Sequence, residues 1–149
     1  MAFRFTLEAV RRLRRSLEDR ERLSLEKLLA QRTAVSHEIE HLHAASLDGQ
    51  QQLQRTLITS PIPAAEIQFN IACLDAMGGR QKDLQGQLLK LQVAIAEQTS
   101  RFQGERQKRE ALDVLRDAQL RDFRTQQSRR EQIQLDELHL LERVRRTRT

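Results

Sequence analysis

The sequence contains no tryptophan and no tyrosine, one cysteine, two prolines and five glycines. Each shortage excludes something. Five phenylalanines are the only aromatic bulk, too little to fill a wide core. The lone Cys73 rules out an internal disulfide and any multi-cysteine metal site, and it suits a reducing compartment. No run of about 18 apolar residues occurs, so no segment is expected to span a membrane. The opening MAFRFTLEAVRRLRRS lacks the apolar stretch of a secretory signal, and Glu8, Glu18 and Asp19 argue against a transit peptide. No phosphate-cradling G-x-x-x-x-G-K-[ST] stretch exists.

What remains is rich in Leu, Gln, Arg, Glu and Ala, the composition of long helices and coiled coils. At 38% hydrophobic and 32% charged over 149 residues, the chain can line a narrow seam. A long helix draws most of its stability from packing, so that seam needs a partner helix. The net charge of +5 is unevenly placed. Residues 1–32 hold nine bases and five acids, residues 33–79 one base and five acids, and residues 80–149 sixteen bases and eleven acids. In an antiparallel hairpin the two basic ends would meet, opposite an acidic end.

The periodicity agrees. Val10, Leu13, Leu17, Leu25, Leu28, Val35, Ile39 and Leu42 follow a 3-4 spacing, with Glu21 bridging 17 to 25 as a stutter and Arg32 filling one slot. Leu53 and Leu57 are late members. Pro61 and Pro63 break the pattern within ITSPIPAAE and suit the first turn of a new helix, for which Ser60 is a candidate cap. Beyond them Ile67, Ile71, Leu74 and Met77 form a stripe. Gly78-Gly79 costs roughly 2 kcal/mol against two alanines, which predicts either a kink or a joint between a short helix and a long one. From Met77 a heptad runs to Val144 through Leu84, Leu88, Leu91, Ile95, Phe102, Leu112, Phe123, Ile133 and Leu140. Glu105, Arg109, Arg116, Gln119, Gln126 and Arg130 occupy its slots in between, and contact with the partner helix is expected to be poorest there.

The expected fold class is therefore all-α: one domain over residues 1–149, a long two-helix antiparallel coiled-coil hairpin. Its helix spans about 5–56, its connection about 58–66 and its second helical region about 67–145. The second region would overhang the first.

His37-Glu38-Ile39-Glu40-His41 matches the zinc-protease pattern H-E-x-x-H. Ala44 and Leu47 stand where the longer form of that motif carries Gly and His, and Ile39 lies in the seam. We read a chance match in a charged helix: no catalytic residue, no metal, no cofactor, and no enzyme. Arg11, Arg12, Arg14, Arg15, Arg143, Arg145 and Arg146 form the basic ends. They fit a solvated helix face, an acidic protein partner, or nucleic acid or anionic membrane; the scarcity of aromatics for stacking on bases weakens the nucleic-acid reading. Phe3 and Phe5 are either a plug on the open end of the coiled coil or an apolar tip inserted elsewhere.

The pattern Phe3-x-Phe5-x-Leu7-Glu8-x-Val10 before Arg11 to Arg15 resembles the amino terminus of the FliJ family of flagellar export proteins. Gln107-Lys108-Arg109-Glu110-Ala111-Leu112, then Phe123, Arg130-Glu131-Gln132 and Asp136-Glu137, is similar to that family's second helix. The resemblance covers essentially the whole chain. It implies a component of the flagellar type III export apparatus, cytoplasmic and peripheral to the inner face of the membrane at the flagellar base. By that likeness the chain would be a stalk in the hexameric export ATPase ring, linked to the large membrane subunit of the export gate, with export chaperones as further partners. Arg11, Arg12, Arg14, Arg15, Arg143, Arg145 and Arg146 would face the ring, and the hairpin end near Leu42 and Leu74 would face the gate. Ala45 and Gly49 stand where family members carry aromatics, which puts the gate contact in question. The related stalk of virulence secretion systems shares these features, and a basic adaptor for nucleic acid or membrane is the other reading.

Overall fold

The computed structural model describes residues 2–148. Its helices are α1, Glu8–Thr59, and α2, Ala64–Thr147, of 52 and 84 residues. They pack against each other as an all-α hairpin, and no strand occurs among the described residues.

The helix ends follow from local chemistry. The Phe5 carbonyl accepts from the Glu8 amide at 3.1 Å and the Leu7 carbonyl from Arg11 at 2.8 Å, with Glu8 in the first turn where the helix dipole favours an acid. At the other end Pro61 has no amide to continue the ladder, and α1 stops after Thr59. The connection is Ser60 to Pro63. Ser60 does not cap α2: it lies four residues before Ala64, its own amide donates back to the Thr56 carbonyl at 3.2 Å, and the Pro63 carbonyl accepts from Glu66 and Ile67 at 3.0 and 3.3 Å.

No joint exists at Gly78-Gly79. Helix α2 continues through both, with no glycine at positive φ. Nothing lies within 4 Å of a Cβ built on either. The helix absorbs the intrinsic cost of two glycines because hydrogen bonding and seam packing continue on both sides.

Two compact units make up the chain. The first unit joins the amino-terminal residues through Asp19 to the segment from Gly104 onward, and the second is Arg20–Gln103. The second unit is the apolar one. Leu25, Leu28, Val35, Ile39 and Leu42 of α1 are half-buried, as are Met77, Leu88, Leu91 and Ile95 of α2. Leu84 is 1% exposed, so its burial contributes about 2–3 kcal/mol. Buried Gln98 is satisfied by donating to the Glu21 carbonyl at 3.0 Å and to the Glu21 carboxylate. Arg32 holds a seam slot by spacing but is exposed.

In the first unit the seam differs from the apolar reading. Val10 and Leu13 are exposed, whereas Leu7, Arg11, Arg14 and Glu18 are covered. Those residues, followed by Glu21, Leu25 and Leu28, keep an unbroken 4-3 alternation. The stutter at Glu21 disappears once charged residues are admitted to the seam.

Candidate partner-binding surfaces

The residues that pair in the first unit are the polar ones. Arg11 donates from Nε to Asp113 at 2.5 Å, and Arg109 donates from Nη1 to the other Asp113 oxygen at 2.6 Å. Arg109 also forks onto Glu18, with Nε on one oxygen and Nη2 on the other at 3.3 Å. Arg14 lies 3.5 Å from Glu105, an ion pair without a hydrogen bond, so that Glu105 Oε2 is buried with no donor. Arg116 lies 4.0 Å from Glu8. The stretch around Glu105–Arg116, expected to contact its partner helix least, is held by a ladder of opposite charges. Only its continuation beyond Phe123 is bare.

These contacts are charge-assisted and partly shielded, the setting in which such bonds count most. The Arg11 guanidinium, bonded to Asp113, holds that carboxyl below the usual range, with Arg109 helping. Asp113 in turn raises Arg11, and the Glu18 fork raises Arg109. The aromatics close the unit. Phe5 is buried at 8% exposure, and Phe3 sits 5.7 Å from Phe123, centroid to centroid, at a 53° tilt. Both are packed against the helix pair, the arrangement expected of a plug.

The arginines expected to face a partner divide accordingly. Arg11 and Arg14 point into the ladder; Arg12 and Arg15 face outward. Arg143, Arg145 and Arg146 are exposed near the end of α2. They do not join the amino-terminal group. Asp113, the partner of Arg11, and Arg146 are separated by about 50 Å of helix. Every described residue from Arg124 onward is exposed, including Ile133, Leu138, Leu140, Leu141 and Val144 at 51–63%.

In the second unit Leu42 and Leu74 are half-buried in the seam. A Cβ built on Gly49 would lie 3.1 Å from Leu74 Cδ2, so Gly49 lets α1 approach closely at that level. Leu57 and Ile71, expected in the seam, are exposed at 52% and 46%, and the most outward apolar residues near the connection are Ile58 and Phe69, 85% and 68% exposed. Neither Ile58 nor Phe69 belongs to the seam that sequence reading followed; a large apolar residue off the seam is the signal that could have found them. His37, Glu38, Glu40 and His41 of the H-E-x-x-H stretch are exposed on α1, and Ile39 between them is half-buried in the seam. Glu38 accepts from Arg80 at 3.0 Å and His37 lies 3.7 Å from Glu40. No cluster of metal-ligating residues occurs among the described residues. No described helix is long and apolar enough to cross a membrane.

The family profile described as "Flagellar FliJ protein" matches residues 3–148. No curated protein and no solved structure matches.

Proposed function

Because the chain belongs to the FliJ family and is thereby a flagellar-type export component, we propose that it acts without catalysis, as a stalk in the hexameric export ATPase ring linked to the export gate. One observation carries this reading: α2 outruns its two-helix part as an exposed arm from Arg124 to Thr147 that ends in Arg143, Arg145 and Arg146. A long helix with basic guanidiniums outward suits the inner wall of a ring. The ring contact uses Arg12 and Arg15 with the arm's arginines, because Arg11 and Arg14 are spent on holding the two helices together. The gate contact uses the outward apolar residues near the connection, Phe69 above all, with Leu42 and Leu74 supporting the helices beneath.

The test is binding of the full chain to purified export ATPase and to the cytoplasmic part of the gate subunit. Arg12→Glu with Arg15→Glu should weaken ATPase binding at least tenfold with helix content unchanged and gate binding intact. Phe69→Asp should do the reverse. Loss of both partners in both folded variants would refute a stalk with two specialised contacts.

A further inference from the structure

The arm of α2 keeps the heptad of the helix it continues. Positions 126, 130, 133, 137, 140 and 144 extend the spacing of 105, 109, 112 and 116, which α1 covers, yet all six are exposed. Ile133, Leu140 and Val144 are 56%, 61% and 51% exposed, with Leu141 beside them at 63%. Four apolar side chains on one strip of a lone helix form an unfinished interface. We propose that this strip binds an amphipathic helix of a partner protein, running antiparallel to α2 in continuation of the line of α1.

Charge on the same face indicates what that helix carries. Arg129 and Arg130 come first, Asp136 and Glu137 follow, and Arg143 comes last. In the covered part of the first unit, seam charges meet opposite charges, as Arg109 meets Glu18 and Asp113 meets Arg11. By the same rule the incoming helix presents acids, then bases, then acids. A second copy of the arm is a poor occupant. Paired antiparallel about its middle, it sets Arg129 against Arg143 of the other copy and Asp136 against itself. Paired parallel in register, it stacks Arg130 on Arg130 and Glu137 on Glu137. Like charges facing across a helix pair favour other pairings. The proposal stands apart from the ring reading: of the arm's three arginines only Arg143 borders the strip, while Arg145 and Arg146 lie on other faces of the helix.

Two synthetic helices of about three heptads test it against the full chain, since a heptad seam needs three or so repeats to register. Both carry leucine at the seam positions. One has the acid–base–acid flanking order and the other the reverse. The matched peptide should bind at least tenfold tighter, and amide exchange should slow over residues 126–144 and stay unchanged over 84–95. Leu140→Asp in the full chain should abolish this binding, while Ile58→Asp, exposed in the other unit, should not. Equal binding of the two peptides, or protection elsewhere, overturns the proposal. So does a concentration-dependent dimer of the chain alone that Leu140→Asp dissolves, which would assign the strip to a second copy.

Discussion

Glu18 of α1 and Arg109 of α2, 91 positions apart in the chain, meet in a two-pronged ion pair in which both carboxylate oxygens accept from one guanidinium. The pair is flanked on the α2 side by Asp113, which shares Arg109 with Glu18 and binds Arg11 with its other oxygen. Three helical turns of the first unit are thus joined by charge where the second unit is joined by leucines.

Asp113 gives this ladder a pH signature. Its carboxyl titrates below the ordinary 3.8 in the folded chain, chiefly because of the bond from Arg11. A depressed carboxylate stabilises the fold above its unfolded value and loses that contribution as pH falls from there through the folded value. At pH 5, Asp113→Asn should melt roughly 2–4 °C below the parent, the shift expected of a lost charge-assisted bond in a chain of this size. That gap should close as the pH is taken well below 3.8. A gap that stays constant in acid would mean that the carboxylate charge is not what stabilises the pair.

Burial in the second unit predicts a different sensitivity. Leu84→Ala should cost about 3 kcal/mol, because a side chain with 1% exposure leaves a cavity. Leu13→Ala, at a position 57% exposed, should cost less than about 0.5 kcal/mol. Denaturant midpoints at constant slope would measure both. Equal costs would return Leu13 to the seam.

How much of this was legible in the sequence is seen in the same residues. On α2 the heptad written from Met77 coincides with covered positions through Arg116, polar slots included, because apolar residues flank every polar one closely enough to hold the phase. On α1 apolarity misled. Val10 and Leu13 are apolar and exposed, while Arg11, Arg14 and Glu18 are charged and covered. What makes a charged seam residue acceptable is its partner some ninety positions away, and a pattern read along one helix holds no information about that partner. The same limit explains the arginines. Sequence placed Arg11, Arg12, Arg14 and Arg15 in one cluster, whereas their direction, inward or outward, depends on Asp113 and Glu105. The family was legible, since the amino-terminal phenylalanines and the charged stretch of α2 carried the likeness that the match over residues 3–148 establishes. At Gly78-Gly79 the joint, one of the two expected outcomes, is absent because a propensity cost is small beside the packing of an 84-residue helix.

The glycines give a third test. Gly78→Ala with Gly79→Ala should raise stability by about 1–2 kcal/mol, since each added methyl meets open space and removes backbone freedom from the unfolded chain. Gly49→Ala should gain little or lose, because its methyl would press on Leu74 at 3.1 Å. Thermal melts of the two variants would decide. A loss in the double variant would show that the helix must flex there to fold.

Amide exchange should separate the arm from the rest. Residues 126–144, exposed along their whole length, should exchange faster than 84–95, which include the buried Leu84. Comparable protection in the chain alone would show that something already covers the arm.

A helix pair joined by leucines alone can slide by a heptad and find leucines again. The first unit cannot. A shift of one heptad, about 10 Å along the axis, sets Arg109 over Arg11 in one direction and Asp113 over Glu18 in the other. Opposed like charges meet a one-heptad slip in either direction, so a pull on one helix passes to the other without backlash, as through a splined shaft rather than a greased bearing.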